Sequence, residues 1–203
     1  PNPDFEVGYI SKIREQIKSP LFLPSHETVE ILLSKSLTAK KIGDMAPKTF
    51  EVSNEADLKI AISSEKVVWL RPKTGAGGKG SLVVSDSKFG WMWIEYWKKR
   101  GFSSSWIAQE YLDGGNYNVT LIYDRNSNLC GMGMLERLGY IHEAISPTGV
   151  TGDVRMAKTI KLDNVVNIAK NAVNMIDKNP VGIFSVDLMG DKVSEINPRF
   201  AGR

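Results

Sequence analysis

The sequence predicts an α+β protein of two lobes, each an antiparallel sheet with helices, meeting near residue 110. Three observations carry that prediction. Strand-like segments come in pairs across short turns, as at Asn118 to Tyr123 and Leu129 to Glu136 around the polar turn Asp124 to Asn128. Helical periodicities are mixed among these hairpins and do not alternate strictly with strands, which argues against a parallel sheet. A turn, Asp113-Gly114-Gly115-Asn116, follows the strand-like Trp106 to Tyr111 and separates the two sets of elements.

Ile10, Ile13 and Ile17 mark a short amphipathic stretch closed by Ser19-Pro20, with an apolar Leu21-Phe22-Leu23 before Pro24. Ser25 can cap a helix from His26 to Ile42, ended by Gly43. Thr49 to Val52 reads as a strand, Asn54 as the cap of a helix to about Ser63, and Lys66 to Arg71 as a second strand. Beyond the glycine loop Thr74 to Gly80, Ser81 to Ser85 is a third strand. A helix from Asp86 to Arg100 places Phe89, Trp93, Ile94 and Trp97 on one core-facing side and stops at Gly101. Gly149 to Gly152 is a loop and Val154 to Ile160 a strand. Asp163 is expected to cap a helix to Lys178 with Val166, Ile168, Ala169, Val173 and Ile176 as its apolar face. Ile183 to Met189 and Lys192 to Ile196 form the last hairpin.

Composition narrows the function. A length of 203 residues supports one substantial core or two small ones, and a net charge of +3 from 26 basic and 23 acidic residues gives no nucleic-acid signature. The lone Cys130 excludes an internal disulfide and fits a reducing compartment, while His26 and His142 offer little to zinc. No apolar run approaches the roughly 20 residues that span a bilayer. A soluble, cytoplasmic protein is expected. Because the chain starts at Pro1 and stops after Arg203, a piece of a longer polypeptide is also expected.

The densest chemistry is in Asp187 to Arg203. Asp187, Glu195 and Asn197 supply oxygen donors without histidine or cysteine, a set that suits a hard cation such as Mg²⁺. Arg199 adds a planar fork matched to a phosphate that the same cation would hold. Glu195 and Asn197, two apart on a strand, share a face. Asp187 joins that face only in an odd register. A two-residue turn at Gly190-Asp191 would pair Asp187 with Ser194, whereas a three-residue loop over Gly190-Asp191-Lys192 pairs it with Glu195. The three-residue loop is the expectation, and a solvated acidic hairpin edge is the alternative.

Arg71-Pro72-Lys73 leads into Gly75, Gly77, Gly78 and Gly80, a G-x-G-x-x-G that is followed by a strand and therefore is not the opening of a dinucleotide-binding helix. As a hairpin tip it can fold over a polyphosphate with its N–H groups, while Arg71, Lys73 and Lys79 neutralise charge. The alternative is a flexible turn.

Together with the hinge-like Gln109-Glu110-Tyr111-Leu112-Asp113-Gly114, these segments resemble the ATP-grasp superfamily, and within it the carbamoyl-phosphate-synthase large-subunit type. The order of parts matches: Ser34-Lys35 in a linker helix, Arg71-Pro72 before a glycine flap, the hinge, and Glu195-Ile196-Asn197-Pro198-Arg199. Thr151-Gly152-Asp153 before a strand matches more weakly. The likeness runs from about Leu33 to Arg203.

The resemblance implies a nucleotide in the cleft between the lobes. Lys35, Arg71 and Lys73 would contact its phosphates, with Gly77, Gly78, Lys79 and Gly80 closing over them. Gln109, Glu110, Tyr111 and Leu112 would present the hinge to adenine. Asn116 stands where the family commonly places a glutamate on the ribose. Asp187, Glu195 and Asn197 would bind Mg²⁺, Glu195 bridging two ions, and Arg199 with Arg71 would act on the transferring phosphoryl group. Arg137 and Arg155 are candidates for a substrate carboxylate, each equally a surface ion-pair partner. Val150 stands where carbamoyl-phosphate synthases have histidine, which favours a carboxylate other than bicarbonate.

The resemblance also implies a division of the chain: 1–24 as a remnant of a preceding Rossmann-like domain, 25–45 as a linker helix, 46–109 as the lobe with the flap, and 110–203 as the lobe with the metal hairpin, truncated at its end. The implied activity is an ADP-forming ligase that phosphorylates a carboxylate for capture by an amine or another nucleophile. An ATP/Mg-binding module without independent catalysis, truncated or regulatory, is the alternative, and an unrelated dinucleotide-binding or structural protein a third. Expected partners are small-molecule carboxylates and amines, with a homodimer left open.

Overall fold

The computed structural model of the protein describes residues 4–200. Helix α1 (Asp4–Lys12) and a short 3-10 turn at Arg14–Gln16 precede α2 (His26–Leu32) and α3 (Lys35–Ile42). The last two correct the single helix expected over this stretch. Ser34 breaks it, its extended backbone and its side chain accepting Leu37 N–H at 3.4 Å starting a new helix. Thr38 Oγ1 then donates at 2.9 Å to Ile31 O in the last turn of α2, which also accepts Ser34 N–H at 3.2 Å.

Strands β1 (Thr49–Val52), β2 (Val68–Pro72), β3 (Leu82–Val84) and β4 (Trp106–Glu110) make one antiparallel sheet in the order β1-β4-β2-β3. Helices α4 (Glu55–Glu65) and α5 (Ser87–Lys99) pack together and against this sheet. Asn54 starts α4 through a reciprocal capping box with Asp57, and Asp86 starts α5 by accepting Phe89 N–H at 2.7 Å. Val52, Leu58, Val68, Leu70, Ile94 and Trp106 form the core of this lobe. Trp93 and Trp97 pack against it, but Phe89 is 54% exposed, contrary to its expected core position. The neighbouring Gly90 is the residue that faces the core there, close against Leu58 and Val84.

Strands β5 (Asn116–Tyr123), β6 (Leu129–Tyr140), β7 (Val154–Thr159), β8 (Gly182–Met189) and β9 (Lys192–Asn197) make the second antiparallel sheet, in the order β7-β6-β5-β8-β9. One face packs on α6 (Asp163–Ile176) and α3 around Val119, Leu121, Val166, Ala169, Val173 and Phe184. Each fully buried valine there contributes roughly 1.5–3 kcal/mol. Asp163 is the first helical residue and Leu162 the cap position, which corrects the expected Asp163 cap. An acidic residue in the first turn still favours the helix through its dipole. With one face of the sheet covered by α6, the opposite face of β5, β6, β8 and β9 is left for the cleft.

Candidate functional site

The hairpin of β8 and β9 pairs Asp187 with Glu195 and Ser185 with Asn197, so the three oxygen-donor side chains share a face as expected. The loop that does so differs from the expected one. Leu188 pairs with Val193 and Met189 with Lys192, leaving a two-residue turn, Gly190-Asp191, with Gly190 at φ +60°. A bulge supplies the odd residue. Ser194 is the extra one, and its hydroxyl donates to Asp187 O at 3.1 Å.

Across the cleft, Glu195 meets two buried cations. Arg71 Nη2 lies 2.9 Å and Lys35 Nζ 3.5 Å from Glu195 Oε2. Burial alone would raise the Glu195 pKa, but the Lys35 and Arg71 charges outweigh it and pull the carboxyl down to about 2. Burial likewise lowers the Lys35 ammonium, opposed by Glu195. Lys35 Nζ also donates to Gly75 O in the flap at 2.6 Å. Asp187 differs: burial holds its carboxyl above the usual range despite Arg137 Nη2 at 2.7 Å, and the like charge of Glu195 adds to the rise.

Arg71, Arg137, Asp187 and Glu195 line a cavity of about 270 Å³ between the sheets, while Lys35 lines a smaller pocket that shares Arg71. Asn116, Arg137, Asp187, Glu195 and Asn197 come from one sheet, Trp69 and Arg71 from the other, and Ala76, Gly77 and Gly78 from the flap. The flap touches the loop at 150–152 backbone to backbone. A Cβ at Gly152 would come within 2.7 Å of Gly77 Cα, and one at Gly78 within 3.1 Å of Val150 O. Only glycine at 152 permits this approach without a shift.

Not every expected residue faces the cavity. Lys73 turns to Glu51 at 3.0 Å. Lys79 lies 5.9 Å and 5.6 Å from the ring centroids of Trp97 and Phe102, lining a smaller pocket with Lys35 and Arg71. Gly80 O accepts the Trp93 indole N–H at 2.7 Å. Gln109 is buried between Arg71, whose Nη1 it accepts at 3.4 Å, and Thr49, so it orients the arginine. The Glu110 carboxylate accepts Lys48 N–H at 3.2 Å, Tyr111 is exposed and Leu112 is buried, and none of the three lines the cavity. Arg155 pairs with Glu143 at 2.9 Å outside the cavity. Arg199 lines it, with Nε paired to Asp4 Oδ1 at 2.5 Å.

Sequence reasoning missed Trp69 and Asn118. Trp69 lines the cavity two residues before Arg71 on the same strand face, and Arg71 Cζ lies 4.7 Å from its ring centroid. Asn118 stands opposite Asp187 and donates to its Oδ1 at 2.7 Å. The period-two pattern could have found both, since each lies two residues from a position already singled out.

The donor set fits a hard divalent cation. Among the described residues, Asp187 Oδ2 and Asn197 Oδ1 accept no hydrogen bond, and Glu195 Oε1 accepts only Asn197 Nδ2 at 3.4 Å. No group of three or more His, Cys, Asp or Glu able to hold a metal occurs among the described residues. An ion here would therefore rely on two carboxylates and an amide, with ligand oxygens completing its shell.

The same architecture occurs in solved structures. The L-amino acid ligase from Bacillus licheniformis superposes with a TM-score of 0.67 at 15% identity, over 98% of this chain and 48% of that one. A carboxyaminoimidazole ribonucleotide synthase from Aspergillus clavatus complexed with ATP gives 0.68 at 15%, over 96% and 51%. The D-alanine–D-alanine ligase from Bacillus anthracis complexed with ATP gives 0.65 at 14%, over 97% and 65%. The chain thus spans about half to two thirds of these proteins. Such identities establish the fold alone. No curated protein matches the sequence. The family profile described as the ATP-grasp domain matches residues 33–203, most of the chain, and the chain belongs to the ATP-grasp family.

Proposed function

We propose that this chain is the ATP-binding domain of an ATP-dependent, ADP-forming ligase that phosphorylates a carboxylate for capture by an amine or another nucleophile. The observation that carries the reading is convergence: flap glycines, the buried Arg71 and the acidic hairpin line one cavity. Of the three structural relatives reported, two are named as ligases and two are complexes with ATP. The lobes divide at about residue 110, with 46–109 carrying the flap and 110–203 the acidic hairpin. The carbamoyl-phosphate-synthase likeness belongs to this proposal too.

In this reading Arg71 and Lys35 bind the nucleotide phosphates, and N–H groups of Gly77 and Gly78 cap them from above. Trp69 and Met189 give the cavity lining apolar surface, and adenine would lie towards the hinge at 110–112, although that hinge does not itself line the cavity. Asn116 offers an uncharged hydrogen bond to a ribose hydroxyl. Asp187, Glu195 and Asn197 would hold Mg²⁺, which supplies charge neutralisation on the phosphate oxygens. A substrate carboxylate oxygen forms a bond to the γ-phosphorus as the bond to ADP breaks. The amine then attacks the acyl carbon, and phosphate leaves. Arg199, whose Nη2 carries no hydrogen bond among the described residues, would steady the transferring group. The protein contributes position and charge and no covalent nucleophile.

Mg-ATP at one hundred times its Kd should stabilise the chain by about 2.7 kcal/mol in a thermal melt, and Glu195→Ala should abolish the shift. No shift in the unaltered protein would refute the proposal. A second reading, a nucleotide-binding module that needs further chain for catalysis, is favoured by the share of its relatives that this chain spans. ADP release that depends on an added carboxylate would decide for the ligase.

A further inference from the structure

Arg199 reaches the cavity on a tether. Its Nε donates to Asp4 Oδ1 at 2.5 Å and its Nη1 to Phe200 O at 3.0 Å, while Nη2 donates to nothing among the described residues. The Arg199 and Asp4 side chains are only 12% and 21% exposed, so water and salt screen the pair little. Arg199 lines the cavity and Asp4 does not. The acid therefore acts on the arginine and not on a ligand.

Asp4 is distant in the chain yet comes from a firmly held element. It opens α1, 195 residues from Arg199 and outside the 33–203 span of the family profile. Val7 of the same helix is buried in a small core with Leu23 and Val29. Ser11 Oγ lies 3.0 Å from His26 Nδ1 at the start of α2. Just beyond α1, Arg14 donates to Pro24 O at 2.8 Å and Leu23 O at 3.3 Å. The α2 helix is fastened in turn to the lobe that carries Arg199. Thr28 Oγ1 donates to Asp177 Oδ2 at 2.9 Å, and a Cβ at Gly182, where β8 begins, would come within 3.1 Å of Pro24. Nothing in this chain of contacts passes through the flap.

A long side chain loses rotamer freedom when it grips a ligand, and an anchor already on one of its nitrogens removes that loss beforehand. We propose that Asp4 is a positioning residue for the phosphoryl-binding arginine: it fixes the plane of the Arg199 guanidinium and leaves the Nη2 N–H groups to the γ-phosphoryl group. The inference rests on the Mg-nucleotide reading above and deepens it. It makes α1, which the family profile does not include, a working part of the site.

Calorimetric titration of the full chain with Mg-ADP and with the Mg complex of a non-hydrolysable ATP analogue tests it, because only the analogue carries the group that Arg199 would hold. Asp4→Asn should weaken the analogue about tenfold, the scale of ordering one long side chain, and leave Mg-ADP unchanged. Asp4→Ser, equally suited to a helix start, removes the same charge if Asp4→Asn does not fold. Arg199→Met should lose at least as much, and adding Asp4→Asn to it should cost nothing further. Equal weakening of both nucleotides would make Asp4 a merely structural residue and overturn the inference. No weakening, tighter binding, or a further loss in the double variant would overturn it too. Arg199→Met with unchanged analogue binding would overturn it and leave the nucleotide reading standing. If the unaltered protein binds neither nucleotide, that reading and the inference both fall.

Discussion

Replacing Glu195 with glutamine keeps the shape of the site and removes the one negative charge between Lys35 and Arg71. Two routes give the cost. The Glu195 carboxyl lies at about 2 in the fold against an ordinary 4.5. At 1.36 kcal/mol per unit this corresponds to about 3 kcal/mol of folding stability. Breaking a buried ion pair by removing one partner costs about 3–5 kcal/mol, because the other charge stays buried. The lower end applies, since Gly75 O and Gln109 Oε1 still accept from the stranded cations. A domain of this size loses about 2–4 °C in Tm per kcal/mol, so Glu195→Gln should lower Tm by about 6–12 °C near pH 7 in metal-free buffer. A depressed carboxyl stabilises above its unfolded pKa and loses that contribution as pH falls through its folded one. The gap between the two proteins should therefore stay constant above pH 4.5 and narrow below it, towards about pH 2. A Tm difference under about 2 °C at neutral pH, or a gap indifferent to acid, would refute the reasoning.

Two further outcomes are expected. Gly152→Val puts a side chain against Gly77, where a Cβ would lie 2.7 Å from the Gly77 Cα, and should push the flap from its partner loop. Calorimetric titration with a nucleotide should show affinity reduced about tenfold, or 1.4 kcal/mol, with unchanged affinity counting against the contact. Phe184→Ala empties a fully buried position whose ring lies edge-on to Tyr123 at 5.8 Å. Urea denaturation should report a loss of about 3–5 kcal/mol, and a loss below about 1 kcal/mol would mean Phe184 is not central to the core.

Local chemistry made much of the fold legible. Thr49–Val52 was bounded by Pro47 and by the Asn54 cap, signals that act within a few residues and do not depend on the rest of the chain. Asp86 and Gly101 bracket α5 in the same way. Where two local signals competed, reading the sequence was less secure. Ser34 lies inside a helical pattern, and whether it continues or restarts the helix depends on how α2 and α3 pack. The bulge at Ser194 is a similar case: turn length can be read from Gly190-Asp191, but an unpaired residue in β9 cannot.

The residue types at the site were also legible, because oxygen donors at strand spacing and glycines beside basic residues are rare enough to stand out. Where each long side chain goes was not. Lys73 and Lys79 flank the flap in sequence, yet Glu51 and the Trp97 and Phe102 rings draw them away from the cavity. Arg137 was no more distinctive than Arg155 until the β5, β6 and β8 registers brought it to Asp187.

The sequence by itself determined the antiparallel α+β character, the flap, and the oxygen donors at one end of the chain, since these follow from period, capping and residue chemistry over short spans. Only the tertiary structure decided which charges meet. Glu195 and Arg71 are 124 residues apart, and Asp187 and Arg137 are 50 apart. Ion pairing at that separation is set by sheet register and by the closure of two lobes, and no local pattern encodes either.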